Sequence, residues 1–397
     1  MLRSLKHLAL LLLLSLSLPA LAQDILWKET TIPMPEAGPK GLETLLVWPN
    51  TPGKHPLALI SHGSPRDASQ REAMSAISAL PVAMEFARRG FAVAYVLRRG
   101  YGHSGGDWAE SYGSCNDTHY LKAAHAGSAD LHAALRYLAK QPQFDLQEMI
   151  AVGYSAGGFA TLALTADSPP KGLVAALLFA PGRGSTEHDS VCQEDALVAA
   201  FGDLGKTSRT PMLWVYAQND HYFNTATAEK FYQAFKAAGG HVNLQWAPAY
   251  GDEGHMLFSR AGIPDWTPIL DDFLKSHDLV LVDKLLPPPF ATLLKAPTQL
   301  TAENKKQFLR YLASPPHKAF AIGADGAFGW RSGRYSVAAV EKEAIATCEQ
   351  YSRKGCHLYA VDNNYAAKSH PKTKTVASKK MVRETIPELS DLGLDLY

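Results

Sequence analysis

The chain has 397 residues, 46% of them hydrophobic and 19% charged, with 39 Lys and Arg against 38 Asp and Glu for a net charge of +1. This is the composition of globular protein, long enough for one large domain and a small one, and so even a balance of charge excludes a strong field for nucleic acid or acidic partners. Residues 1–22 carry Arg3 and Lys6, an apolar stretch from Leu8 to Leu18, and Ala20-Leu21-Ala22. That order predicts a secretory signal peptide cleaved after Ala22, and the stretch is short for a membrane span. The expected setting is periplasm or medium, with no transmembrane segment.

Thr30 to Pro33 and Leu42 to Trp48 read as short strands, and Pro56 to Ile60 as a strand buried on both faces that runs into His62-Gly63-Ser64-Pro65. Residues 70–89 read as a helix closed by Gly90, followed by a strand from Phe91 to Leu97. Ser128 is placed to cap a helix whose Leu131, Ala134, Leu135 and Leu138 form one apolar stripe. Met149 to Val152 is the next buried strand, Gly153 to Gly157 a tight turn, and a helix is expected from Gly158. Strands at Val174 to Phe179, Pro211 to Ala217 and Val242 to Trp246 alternate with helices at 226–238 and from Thr267 to Ser276. The alternation predicts an α/β fold, a mostly parallel sheet with helices on both faces.

Pro287-Pro288-Pro289 marks a boundary. The expected division is a signal peptide over 1–22, a large domain over 23–284, a linker over 285–300, a small α+β domain over 301–365 and a basic tail over 366–397. In the small domain a helix at 302–313 precedes a hairpin from Ala319 to Trp330, a helix capped by Ser336, and a strand from Cys356 to Val361. Val337, Val340, Ala344, Cys348 and Tyr351 make the stripe of that second helix. Within the tail, Lys368 to Arg383 has six Lys or Arg and no acid, the pattern of a solvated tail or of a weak contact with an anionic envelope surface.

Four cysteines in an oxidising compartment allow three pairings. Cys115 with Cys192 and Cys348 with Cys356 keep each bond inside one domain. Cys348, Cys356 and His357 lack the spacing of a zinc site, so no metal is expected.

Gly153-Tyr154-Ser155-Ala156-Gly157 sits between an apolar strand and an alanine-rich helix, where a sharp turn pushes the serine hydroxyl outward. A second Gly-x-Ser-x-Gly, around Ser104, lacks both neighbours. A serine needs a base to take its proton and a third group to orient that base. Asp220 follows one downstream strand and His255 the next, at the ends where parallel strands deliver their loops. Asp252 and Glu253 are too close in sequence to His255 to reach the far side of its ring, His221 adjoins Asp220 and would point elsewhere, and His188, His241 and His277 lack a suitable loop.

With these residues in the order serine, aspartate, histidine, the chain resembles the dienelactone hydrolase-like branch of the α/β-hydrolases over residues 25–278. His62-Gly63-Ser64-Pro65 is similar to that family's oxyanion loop, and Arg99-Gly100-Tyr101-Gly102-His103-Ser104 to the loop after its next strand. The resemblance implies a secreted serine hydrolase acting on a small-molecule carboxylic ester or lactone, with no metal or organic cofactor. It assigns Ser155, Asp220 and His255 to catalysis and the backbone N–H groups of Ser64 and Ala156 to the oxyanion. Dienelactone hydrolases proper carry cysteine where this chain has Ser155. The prolyl oligopeptidase-type peptidases share the three loops, and a non-catalytic envelope-binding role is the reading from another class. Residues 181–210 are expected to cap the pocket.

Overall fold

The computed structural model describes residues 24–288 and 294–366. The expected signal peptide, Pro289 and the expected tail beyond Ala366 lie outside the described residues.

Eight segments form one sheet: β1 (Ile25–Ile32), β2 (Leu42–Pro49), β3 (His55–Ser61), β4 (Ala92–Val96), β5 (Phe144–Tyr154), β6 (Leu173–Phe179), β7 (Met212–Ala217) and β8 (Val242–Ala247). Their order is β1-β2-β4-β3-β5-β6-β7-β8. β1 and β2 pair antiparallel at one side, and from β4 onward every pairing is parallel. Side chains alternate across a strand, so Leu57 and Leu59 of β3 enter one core while Ala58 and Ile60 enter the other. Both faces are therefore apolar, as a sheet covered by helices on either side requires.

The helices are α1 (Leu80–Arg88), α2 (Tyr120–Leu138), α3 (Ala156–Asp167), α4 (Glu194–Gly205), α5 (Thr225–Ala237) and α6 (Ile263–Ser276). α1 and α6 cover one face through Phe86, Trp266 and Phe273, and α2 to α5 cover the other through Leu131, Phe159, Phe201 and Phe231.

Four helix boundaries differ from the sequence expectation. Residues 70–79 do not begin α1: the buried Glu43 carboxylate accepts from Ser75 Oγ and Ala76 N (3.1 and 2.7 Å) and bends the chain into short 3-10 turns before Leu80. Ser128 is not a cap but lies inside α2. A Cβ on Gly127 would stand 2.6 Å from Ala160 Cβ, so the Gly-Ser pair is where α2 lies close against α3, not where it starts. α3 begins at Ala156 because Ser155 O already accepts from Phe159 N at 3.1 Å, and α6 begins at Ile263, with Pro264 in its first turn.

Residues 294–366 add α7 (Ala302–Leu312), α8 (Val337–Glu349) and an antiparallel sheet of β9 (Ala319–Gly323), β10 (Phe328–Arg331), β11 (Cys356–Val361) and β12 (Asn364–Tyr365), ordered β10-β9-β11-β12. Ser336 caps α8 by accepting from Ala339 N, as its position predicted. Val340, Ala344 and Cys348 of the predicted stripe are buried under the sheet, whereas Tyr351 is 72% exposed. The small unit meets the large one through His317 beside Glu29 (3.2 Å), Tyr335 stacked on His103 and Arg260 Nη1 donating to Ser314 Oγ at 3.3 Å.

Both disulfides join the cysteines that the domain argument paired, Cys115–Cys192 and Cys348–Cys356. The second fastens α8 to β11 in a core too small to be strongly stable alone. Cys348→Ala with Cys356→Ala should cost the small unit about 2 kcal/mol. Hydrogen exchange at β9 and β11 should accelerate accordingly while β3 to β7 stay protected.

Candidate active site

β5 ends at Tyr154, and Ser155 turns the chain into α3 with φ 53° and ψ −122°. A non-glycine residue in that region is strained, and it is tolerated where surrounding structure fixes it. Ser155 N donates to Phe179 O at 2.9 Å, and its carbonyl takes Gly182 N as well as Phe159 N. The glycines two positions either side answer to close approach. A Cβ on Gly153 would lie 2.5 Å from Gly158 Cα, and one on Gly157 would lie 2.2 Å from Ser61 O. The spacing Gly-x-Ser-x-Gly is thus the footprint of a strand, a turn and a helix packed too tightly for side chains.

Asp220 and His255 are brought together from the loops after β7 and β8. His255 Nδ1 lies 2.9 Å from Asp220 Oδ2, and both side chains are almost wholly buried. The other carboxylate oxygen accepts from Tyr222 N and Phe223 N at 2.8 and 2.9 Å, so the acid is held by three donors. With Nδ1–H donating to the carboxylate, Nε2 is the basic nitrogen. The Tyr222 ring stacks on the imidazole with centroids 4.0 Å apart, and the Arg66 guanidinium lies 3.4 Å over Tyr222.

The nearby acids serve the backbone. Glu253 Oε1 accepts from His221 N and His255 N (2.9 and 3.0 Å), while Asn219 ties the two loops through Tyr250 N and Gly251 O. Ser104 is buried with its hydroxyl donating to Leu97 O and accepting from Glu43 N, a structural position. His188 and His221 stack on each other at the rim, and His277 is bonded within its own helix end.

Ser155 and His255 line one cleft of about 520 Å³ together with Ser64, Tyr154, Tyr222, Met256 and Arg260. A second cavity of about 260 Å³ also reaches Ser155, together with Ala156, between Arg66, Trp108, Arg183 and Ser185. Ser64 lines both. Ala156 opens α3, so its N–H belongs to the first-turn donors that have no partner within the helix. A Cβ on Gly63 would meet Tyr154 Cδ1 at 2.9 Å and Ser155 Cβ at 3.2 Å, which shows how closely the His62–Pro65 loop is laid on the serine turn.

That loop is held by groups the sequence did not single out. Arg98 N donates to His62 Nε2 (3.0 Å), so the His62 proton is on Nδ1 and bonds Gly63 O at 2.6 Å. Burial, reinforced by the Arg98 charge, pushes the His62 imidazole well below its ordinary range and keeps it neutral. Arg98 Nη1 donates to Ser61 Oγ and His62 O, and its remaining edge pairs with Glu110. Glu110 also binds Arg183 and Tyr101 OH. Burial would raise the Glu110 carboxyl, but the two guanidinium groups outweigh it and hold the pKa at about 2. Nothing local marks Glu110, because its two guanidinium partners are 12 and 73 residues away.

The expected cap is smaller than residues 181–210. Leu197, Phe201 and Leu204 bury α4 in the core beside α5, so it is a layer helix. Only the hairpin of Ser185–Glu187 and Ser190–Val191 stands at the rim. Arg66 donates to Ser185 Oγ there, and the Cys115–Cys192 bond anchors the end of the hairpin.

The model of the prolyl oligopeptidase family matches residues 80–175, the stretch holding the serine turn. No curated protein matches the sequence. Among solved structures the chain is similar to the esterase Pf2001 of Pyrococcus furiosus, at 15% identity over 64% of this chain and 90% of that one, with a TM-score of 0.42. It is similar also to a Klebsiella pneumoniae protein assigned as a dienelactone hydrolase (18%, 63% and 99%, 0.42) and to the butyrate-bound esterase 2 of Thermogutta terrifontis (17%, 64% and 95%, 0.45). Likenesses this distant carry no activity across. By its own sheet order, its parallel crossovers and the strained serine after β5, the chain has the α/β-hydrolase fold.

Proposed function

We propose that the protein is a serine hydrolase that cleaves a carboxylic ester or lactone through an acyl-enzyme on Ser155, in an oxidising compartment outside the cytoplasm. The observation that carries the reading is a strained serine at the end of β5 sharing a cleft with a buried aspartate–imidazole pair. Ser155 Oγ attacks the carbonyl carbon as its proton passes to His255 Nε2, and Asp220 stabilises the imidazolium. The oxyanion is received by Ala156 N–H and Ser64 N–H, each worth about 10² to 10³ in rate. His255 then returns the proton to the leaving alcohol, and water, activated by the same nitrogen, releases the acid. The two cavities that share Ser155 offer the acyl and alcohol portions separate walls. The two disulfides fit an oxidising compartment, and no helix of the described residues is long and apolar enough to cross a membrane.

The charge of the cleft narrows the substrate. Arg260 lines it, forms no ion pair among the described residues, and leaves Nη2 buried without a hydrogen-bond partner among them. Burial alone lowers its pKa, with no carboxylate opposing. Leaving a buried cation uncompensated is costly, so a substrate bearing an anionic group supplies what the protein omits. Hydrolysis of a panel of neutral and carboxylate-bearing esters, lactones and short peptides tests this. Arg260→Met should raise KM for carboxylate-bearing esters about 10-fold or more and leave neutral esters nearly unchanged. The family-model match favours peptides as the second substrate class. Turnover of peptides alone would replace the ester reading.

A further inference from the structure

We propose that His188, Asp189 and His221 form a site for a divalent cation of the Zn²⁺ class, which clips the rim hairpin to the loop that carries Asp220. The ligand atoms of the three residues lie within 4.8 Å of one another. Asp189 Oδ2 is 3.0 Å from His188 Nδ1, and 3.3 Å from His221 Nδ1. Bonds of about 2.0 to 2.2 Å in a tetrahedral array set neighbouring donor atoms ~3.3 Å apart, so two of the three edges already have the required length. Both Nδ1 atoms stand beside the same carboxylate, and a cation entering there replaces the hydrogen between His221 and Asp189 once the two rings, stacked with centroids 3.7 Å apart, tilt to aim both nitrogens at it. Imidazole and carboxylate together suit Zn²⁺ and Co²⁺ better than Mg²⁺ or Ca²⁺.

The backbone that carries the ligands is fixed before any cation arrives. Asp189 has φ 56°, and its N–H donates to His221 O at 2.9 Å. The same carbonyl takes Arg66 Nη2 (2.8 Å), while His221 N–H is held by Glu253. His188 and Asp189 belong to the hairpin tethered by Cys192, and His221 follows Asp220, so one ion would join two loops that now meet through the Asp189–His221 hydrogen bonds and the stacked His188 and His221 rings. The side exposed to solvent leaves a fourth position for water.

The test uses untagged full-length protein freed of metal with a chelator. It is titrated with Co²⁺, followed by its visible ligand-field band, and with Zn²⁺ by calorimetry. The wild type should bind one equivalent of either at this site and melt at a higher temperature with Zn²⁺ present. His188→Ala and Asp189→Asn should each weaken binding by ~10-fold or more, and the double variant His188→Ala, His221→Ala should remove it. The His188 ring is exposed, and asparagine tolerates the left-handed backbone at 189, so these variants are chosen to keep the fold, which the metal-free melt verifies. Wild-type protein that binds no cation, or that binds as tightly as the double variant, overturns the proposal. The titration reads binding and not turnover, so it succeeds or fails independently of the hydrolase reading.

Discussion

Ser155→Ala is expected to lower kcat for ester hydrolysis on the order of 10⁶-fold and to abolish covalent labelling by an organophosphate. The nucleophile and its base act as one unit, so loss of either removes most of the acceleration, and the residual rate reflects binding and the oxyanion donors alone. Ser104→Ala is the matched control, because it also removes a serine from a Gly-x-Ser-x-Gly sequence. It should keep the label, since its hydroxyl is committed to Leu97 O and Glu43 N, and lose about 1 kcal/mol of stability instead. Equal labelling of Ser155→Ala and wild type would remove Ser155 from the mechanism. The expected loss should appear without a change in melting temperature, because the serine side chain fills a strained turn and not the core.

The largest effect on stability is expected at Glu110. Glu110→Gln leaves Arg98 and Arg183 buried with no counter-charge, a change that costs about 3 to 5 kcal/mol and lowers the melting temperature on the order of 10 °C. Activity should fall with it, because Arg98 holds Ser61, His62 and through them the Ser64 N–H. The sign with pH follows from the depressed pKa. The carboxyl is ionised in the folded protein down to about 2 but in the unfolded chain only down to ~4.3. Its contribution is therefore present in full above the unfolded value and is lost as pH falls toward 2. Wild type and Glu110→Gln should differ most above pH 5 and converge in acid, as thermal melts across that range would show. A constant difference would mean that the network acts through packing and not through charge.

The features legible in the sequence are those set by local pattern. Continuous apolar runs marked β3, β5, β6 and β7, because a strand covered on both faces has no polar side to show. The glycine-flanked serine marked the turn, since only close approach of backbone to backbone excludes side chains at both flanking positions. The carboxylate and the histidine were legible because parallel strands deliver their loops to one edge, so that order along the chain stands in for proximity. The pairs Cys115–Cys192 and Cys348–Cys356 followed from domain membership alone.

Where local signals had two uses, the sequence misled. Gly127-Ser128 looks like a helix start and is a close helix contact; residues 70–79 look helical and are bent by a buried carboxylate from β2. α4 looked like part of a cap and is a core helix, because its apolar side is offered equally to a lid and to a layer.

What the sequence by itself determined is the sheet and its helical cover, consequences of periodicity, while chain order pointed to Ser155, Asp220 and His255 as candidates. What only the tertiary structure decided is the electrostatics around them. The Arg98–Glu110–Arg183 network, the His62–Arg98 bond, the Arg260–Ser314 bond and the His188–Asp189–His221 cluster each join residues distant in sequence. A charge in a loop is silent about its partner until folding brings the two together, and where burial also removes the water, as at Glu110, an ordinary residue becomes a structural support.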